Sequence, residues 1–521
     1  MPGRAARCER TCKTAAALVS SWPFRASPRT GAQPMPLKVF NTLTRRVEEF
    51  RALEEGFVRM YVCGPTVYDH PHIGHAKSYV AFDVIVRYLR YLGLKVKYVQ
   101  NITDVGHLTD NADEGEDKVE KRAAKERIDP MQVAENYTRS YFDDMDALNI
   151  VRPDISPRAS GHIPEQVELV KALLAKGHAY EANGSVYFDV STFPSYGRLS
   201  GKRVEELEAG ARVDVNPEKR HPADFALWKK AERGHILRWN SPWGWGYPGW
   251  HLECSAMSMR YLGETLDIHG GGLENAFPHH ESEIAQSEAA TGKPFVRYWL
   301  HNNMVTVDGV KMGKSLGNFI TLKDAFRKHH PLAIRYFVLT SHYRSPLDFS
   351  DAAIEAAEKG LARIHAAVGA LRKALSSPAG VGPAGGETPA ERELEGFRTK
   401  FEQAMDEDFN TPSAVAVIAD MVRWTNTLLA QEAPGRTALE KALALFNRLG
   451  GDALGIMTEK LLDEQGAPGG LEGRLIELLT GLRNEMRKAR NFAAADRIRE
   501  GLSQLGVELK DGADGTTWKR T

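Results

Sequence analysis

The hydrophobic pattern changes character along the chain. Residues 57–63, Phe-Val-Arg-Met-Tyr-Val-Cys, form a largely apolar, β-prone run ended by Gly64-Pro65, which predicts a strand. From 74 to 92, Val80, Val84, Ile85, Tyr88, Leu89 and Leu92 recur near helical spacing, and Gly93 suits the position after a helix end. Residues 94–99 are strand-like again. Strand, helix and strand make a βαβ unit, the start of a parallel, doubly wound sheet. Residues 101–150 are polar, charged and mostly helical in pattern. Residues 150–240 read as an inserted module, with a strand at 185–190 and a Gly/Lys/Glu-rich hairpin around 195–215. The sheet resumes at 265–269, followed by Gly270-Gly271-Gly272, a helix from about 279 to 290 and a strand near 298–307. Beyond about 350, strand signals almost vanish and helical patterns take over. Pro- and Gly-rich stretches at 376–389 and 466–470 read as linkers or loops.

Composition narrows the class. A chain of 521 residues exceeds one ordinary core, and 42% hydrophobic with 26% charged residues is globular. No apolar run is long enough to cross a bilayer as a helix, so no membrane partner is expected. Lys plus Arg (68) balance Asp plus Glu (68), so a nucleic acid would be met by local patches. The four cysteines, Cys8, Cys12, Cys63 and Cys254, are too few for a disulfide framework and fit a reducing compartment, taken as cytoplasmic. Residues 1–36 carry Arg4, Arg7, Arg10, Lys13, Arg25 and Arg29 against the single acid Glu9, a composition like an organellar transit peptide. The segment shows no clear amphipathic helix, and Met35 would be a natural start. It therefore reads as a disordered extension or a mis-assigned start, with organellar targeting left open. The expected divisions are 37–150 and 241–350 for the two halves of the sheet domain and 151–240 for the insertion. A helical stem and linker follow at 351–400, then a helical domain at 401–521.

Two short basic signatures carry the first chemistry. His72-Ile-Gly-His75 falls where a strand gives way to a helix, a place where backbone N–H groups and the helix dipole favour phosphate. Lys311-Met-Gly-Lys-Ser315 puts Lys311 and Lys314 in a Gly-containing loop expected to be mobile. Imidazoles and ammoniums gathered from distant segments suit a developing triphosphate charge. A P-loop is disfavoured, because three residues separate Gly309 from Gly313 where that motif needs four. Gly270-Gly271-Gly272 lacks the last glycine of a dinucleotide fingerprint and better suits close approach of backbone to a planar adenosine. Cys63 ends the first strand, at the edge where ligands of open α/β sheets gather. His279 and Glu283 are four apart on a predicted helix and share a face. With Cys254 they make a candidate metal set, in which spacing alone lets His280 replace His279.

Longer words then become specific. Tyr61-Val-Cys-Gly-Pro-Thr-Val-Tyr-Asp69, Gly249-Trp-His-Leu-Glu-Cys-Ser255, Phe277-Pro-His-His-Glu-Ser-Glu-Ile-Ala-Gln286, Asp408-Phe-Asn-Thr-Pro412 and Ala495-Asp-Arg-Ile-Arg499 occur in order with the two signatures. Together they resemble the cysteinyl-tRNA synthetases of class I, over roughly residues 36–521. The resemblance implies a Rossmann-like catalytic domain with an inserted module and a helical anticodon-binding region. It implies Zn2+, one per subunit, on Cys63, Cys254, His279 and Glu283. His72, His75, Lys311 and Lys314 are then the catalytic groups, and Gly64, Thr66, Trp250, His269, Gly270, Gly271 and Lys314 the substrate contacts. The implied partners are L-cysteine, ATP with Mg2+ and tRNA(Cys), with no DNA and a monomeric state. Gly313, where the family usually has serine, predicts an altered lysine loop rather than a lost activity.

Zinc has a chemical logic here. A hydrophobic pocket separates cysteine from serine by only about 1–3 kcal/mol, whereas a borderline-soft ion prefers thiolate to hydroxyl. Glu283 would be the most labile ligand, and Trp250 could wall the pocket. Arg487, Lys488, Arg490, Arg497 and Arg499 form a basic cluster in the helical end, with Trp518 a candidate base-stacking residue. Two alternatives stand: a cysteine ligase of mycothiol synthesis, and a non-catalytic tRNA-binding relative.

Overall fold

The structure is a computed structural model that describes residues 36–108, 115–202, 216–313, 316–376, 389–432, 434–458, 471–512 and 515–520. A short hairpin, β1 (Lys38–Asn41) and β2 (Arg46–Glu49), precedes the first βαβ unit. That unit is β3 (Phe57–Val62), α1 (Ile73–Tyr91) and β4 (Lys95–Gln100), within a residue or two of the sequence expectation. β3 is buried along its second half because it lies inside a fully parallel sheet of order β11-β10-β3-β4. β3 pairs with β4 and with β10 (Leu266–Gly272), and β11 (Val296–Asn302) pairs with the far side of β10. Strand order reverses between β3 and β10, so the crevice beyond their carboxyl ends is the place for a ligand. Cys63 and Gly270 meet there, the Cys63 N–H donating to Gly270 O at 3.0 Å.

The polar stretch after β4 forms α2 (Lys118–Glu126) and α3 (Pro130–Ala147). The insertion holds α4 (Ile163–Ala175) and an antiparallel five-stranded sheet, ordered β5-β6-β7-β9-β8. Its strands are β5 (Ala179–Ala182), β6 (Ser185–Phe188), β7 (Phe225–Lys230), β8 (Trp239–Ser241) and β9 (Gly244–Pro248). The hairpin expected at 195–215 lies largely outside the described residues. This sheet shares a second core with α4 and one face of α5 (Trp250–Leu262) and α6 (His279–Thr291), through Leu252, Ala256, Ala285 and Ala289. Both helices are therefore held from two sides.

The single strand expected over 298–307 is two. β11 closes the parallel sheet, and Asn303-Met304 turns the chain into β12 (Val305–Val307). β12 pairs with β13 (Val310–Lys311) and with β14 (Leu347–Phe349) in a separate small sheet. Helices α7 (Leu322–Lys328) and α8 (Pro331–Leu339) lie between β13 and β14 in the chain. Helices α9 (Asp351–Ser376), α10 (Pro389–Asp406), α11 (Thr411–Leu429) and α12 (Arg436–Phe446) continue the main core. Buried Arg335 on α8 joins this part to α1. It donates to Leu454 O (2.8 Å) and to Leu148 O (3.1 Å), and pairs with Asp83.

The end of the chain is not wholly helical. After α13 (Leu471–Lys488) and α14 (Phe492–Gln504), a hairpin of β15 (Val507–Gly512) and β16 (Gly515–Arg520) closes a small core of Ile476, Leu502, Val507 and Leu509. Trp518 packs against that core from β16. Of the basic cluster, Arg487 pairs with Asp511 at 2.9 Å.

Candidate active site

Four separate segments converge at the point of strand reversal. Cys63 follows β3, Cys254 lies on α5, His269 on β10, and His279, His280 and Glu283 on the first turns of α6. All are buried. Cys63 Sγ stands 4.0 Å from Cys254 Sγ and 3.8 Å from Glu283 Oε1, and His279 Nε2 lies 3.2 Å from the same carboxylate oxygen. The helical spacing of His279 and Glu283 produces that last contact directly. Ligand atoms of Cys63, Cys254, His279 and Glu283 all fall within 4.8 Å of one another. The same limit holds for Cys63, His269, His280 and Glu283. The ambiguity between His279 and His280 thus persists in three dimensions.

Each ligand-like group is oriented from behind. His251 Nδ1 lies 2.9 Å from His279 Nδ1, which turns His279 Nε2 toward Glu283. His280 Nδ1 meets His301 Nε2 at 2.8 Å, and His301 Nδ1 meets the Thr42 hydroxyl at 2.8 Å. His269 sits behind Glu283, its Nε2 2.9 Å from Oε2. Burial pushes the Cys63 thiol up to about 11 and Cys254 well above its usual value, and holds His279 and His280 far below the usual imidazole value. Two thiols, an imidazole and a carboxylate, all buried, could hold a metal ion, and such an ion would draw the thiols out as thiolates.

The adjoining wall is aromatic. Trp250 opens α5, stacks on His107 (centroids 4.1 Å, 8° between planes) and leans on His279 (4.3 Å). His107 is fixed by Thr66 Oγ1 at 2.5 Å and Lys118 Nζ at 2.7 Å. Gly64 is required by close packing, since a Cβ there would stand 1.6 Å from Asn101 O. Gly270 and Gly271 also have neighbours within the protein: a Cβ would meet Phe82 Cε1 at 2.3 Å and His280 Cε1 at 2.8 Å.

The first signature forms a histidine capping box. His72 Nδ1 accepts from the Gly74 N–H (3.1 Å) and His75 Nδ1 accepts from the His72 N–H (3.1 Å). Both acceptances place the ring proton on Nε2. Desolvation, then the neighbouring His72, hold His75 well below the usual imidazole value, so it is a neutral donor near pH 7. The backbone donors expected to receive phosphate are engaged inside the chain. Ile73 N–H donates to Ile320 O (3.2 Å), Gly74 N–H to His72, and His75 N–H to His72 O (2.9 Å).

The lysine segment returns to this corner. His72 forms an antiparallel bridge with Thr321, Phe319 lies edge-on to the His72 ring at 5.1 Å, and Met312 Cε is 3.6 Å from where a Gly74 Cβ would be. Asn318 spans the loop, accepting from the Gly313 N–H (2.9 Å) and donating to Lys311 O (3.2 Å). Lys311 is exposed at the end of β13, and Lys314 lies outside the described residues. His107, His251 and His301 escape sequence reasoning: none belongs to a spacing that signals a ligand, and their pairings are tertiary.

Residues 49–359 match the family described as tRNA synthetases class I (C) catalytic domain, and residues 400–458 match a DALR domain. The chain is 54% identical to the cysteine–tRNA ligase of Chlorobaculum tepidum over 492 residues, 93% of this chain and 99% of that one. It is 51% identical to the cysteine–tRNA ligase of Thermus thermophilus over 486 residues, again 93% and 99%. The Mycobacterium tuberculosis methionyl-tRNA synthetase solved with methionyl-adenylate shares the fold, with TM-score 0.60 and 17% identity over 79% of this chain and 94% of that chain.

Proposed function

The chain belongs to the cysteine–tRNA ligases of the class I synthetases, and on that premise we propose how its residues divide the work. It is an aminoacyl-tRNA ligase. Cysteine and ATP condense to cysteinyl-adenylate with release of pyrophosphate, and the cysteinyl group then passes to the 3′ end of tRNA. The substrate carboxylate is the nucleophile, so the protein's task is to position groups and stabilise charge.

His72 and His75 serve as neutral Nε2–H donors to phosphate oxygens, strengthening as charge develops. Lys311 and Lys314 approach the triphosphate from the facing loop and bind best in the transition state, with Mg2+ accompanying the nucleotide. Gly64, Thr66, His269, Gly270 and Gly271 line or back the crevice. Cys63, Cys254, His279 and Glu283 are the residues that would hold zinc, and this set is preferred to the one with His269 and His280 because it contains both thiols. A zinc ion held there supplies a preference for thiolate over hydroxyl. Trp250, braced by His107, limits the space beside it and excludes larger side chains.

The observation that carries this reading is the convergence of both body cysteines with His279 and Glu283 at the strand-reversal point. Zinc analysis joined to cysteine-against-serine activation tests it. Zinc-free protein with full cysteine selectivity would refute the metal assignment, and cysteine-dependent pyrophosphate exchange left intact by Lys314→Ala would refute that of the lysine. The DALR match and the coverage of full-length relatives weigh against an amino-sugar ligase.

A further inference from the structure

The word Asp408-Phe-Asn-Thr-Pro412 has no part in the chemistry above, yet three portions of the chain meet on it. Asp408 and Phe409 both have positive φ, 57° and 53°, a region uncommon for residues other than glycine. The turn buries the Asp408 carboxylate, which is 3% exposed. Its Oδ1 accepts from the Phe40 N–H and the Tyr343 hydroxyl, both at 2.8 Å, and its Oδ2 from Arg344 Nε at 2.6 Å. His342 Nε2 lies 3.0 Å from the Asp408 carbonyl oxygen.

The segment held in this way passes the constraint on. Tyr343 O accepts from the Asn303 N–H (2.9 Å), and Arg344 O from Asn303 Nδ2 (3.0 Å). Lys77, on α1, donates to Met304 O (3.0 Å) and to Ser345 O. Directly after Met304 the chain enters β12, which runs parallel to β14 and antiparallel to β13, where Lys311 stands. Asp348 on β14 fixes the turn of that hairpin, accepting from the Thr306 hydroxyl (2.6 Å) and the Gly309 N–H (2.7 Å).

We propose that Asp408 is a positioning residue for cysteine activation. Through Tyr343 and Arg344 it holds the 303–304 hinge, and so keeps the Lys311 hairpin in register with α1 and its two histidines. Asp408 itself lies in the region matched to the DALR domain, so the link joins the helical part to the activation step. The inference rests on the reading of Lys311 as a phosphate-binding lysine.

The full-length enzyme tests it. Asp408→Asn keeps the shape and removes the charge facing Arg344. Its kcat for cysteine-dependent ATP–pyrophosphate exchange, normalised to active sites titrated by adenylate formation, should fall about tenfold, with KM for cysteine within about twofold. Amide hydrogen exchange over 305–311 should speed up about tenfold, while β3 and β10 stay unchanged. Tyr343→Phe removes one hydrogen bond and should give the same pattern at about threefold, including where Asp408→Asn fails to fold. Unchanged exchange over 305–311 overturns the proposal, and so does a normalised kcat within about twofold of the parent accompanied only by a lower melting temperature. Lys311→Ala separates the two readings. A parental rate there refutes the lysine's role, whereas an impaired Lys311→Ala beside an unimpaired Asp408→Asn refutes the positioning link alone.

Discussion

The Sγ atoms of Cys63 and Cys254 stand 4.0 Å apart across a sequence separation of 191. Two thiolates on one tetrahedral zinc, with bonds near 2.3 Å, would lie ~3.8 Å apart, so the pair needs almost no rearrangement to bind. Protein as purified should carry about one zinc per chain, and Cys254→Ser should lose most of it. The preference of Cys254→Ser for cysteine over serine should drop to the ~10–200-fold that a pocket alone provides. Elemental analysis and parallel exchange assays with the two amino acids read both outcomes.

His279 and His280 are alternative ligands by distance and by orientation. His279 Nε2 lies 3.2 Å from Glu283 Oε1 and His280 Nε2 lies 3.2 Å from Cys63 Sγ, while His251 and His301 hold the Nδ1 atom of each. If the set with both thiols binds the metal, His279→Gln should release it and His280→Gln should retain it while lowering affinity roughly 10–100-fold, as loss of an outer partner does. The reverse order in a zinc competition titration would assign the His269–His280 set.

Asn318 is the clamp of the lysine loop. Asn318→Ala frees both Gly313 N–H and Lys311 O, and should lower kcat about tenfold with little change in cysteine KM. Gly313→Ser keeps the backbone donor and should stay within about threefold of the parent. Steady-state exchange kinetics decide each.

Gly270→Ala drives a methyl group to 2.3 Å from Phe82 Cε1. Overpacking of this kind costs about 1–3 kcal/mol, and Phe82→Leu in the same chain should restore part of it. Urea unfolding of the single and double variants measures the rescue. No rescue would point to ligand approach, rather than packing, as the reason for glycine.

Burial lowers Lys77 to about 8 from 10.5. Between those values the unfolded chain holds a proton that the folded chain has released. Stability from this site is then complete above 10.5, shrinks as pH falls, and is lost as pH passes down through 8. Relative to the parent, Lys77→Met should accordingly lose ground as pH rises from about 8 to 10.5 in urea titrations.

Local pattern made the βαβ unit legible: helix 73–91 and strands 57–62 and 95–100 follow from apolar spacing closed by Gly64-Pro65 and Gly93. The break at Asn303-Met304 was not legible, because apolar residues run on either side of it and the separation is imposed by 343–347. The end hairpin was missed for a similar reason, its short strands finding their partners within a small local core. The two signatures pointed to phosphate, but the histidine capping box depends on rotamers that no spacing reveals. The metal set is a mixed case. His279 and Glu283 share a face by helical arithmetic, whereas Cys63 and Cys254 are joined only by the sheet order.

That long separation bears on how the protein is made. The cluster needs Cys63 from the beginning of the sheet and Glu283 from far beyond the insertion, 220 residues later. A ribosome that has released only the first half of the catalytic domain exposes Cys63 without Cys254, His279 or Glu283. Closing so long a loop is entropically slow compared with forming α1 or the inserted hairpins. Metal capture should thus be a late event in biosynthesis, marking the moment at which the two halves of the parallel sheet have found each other.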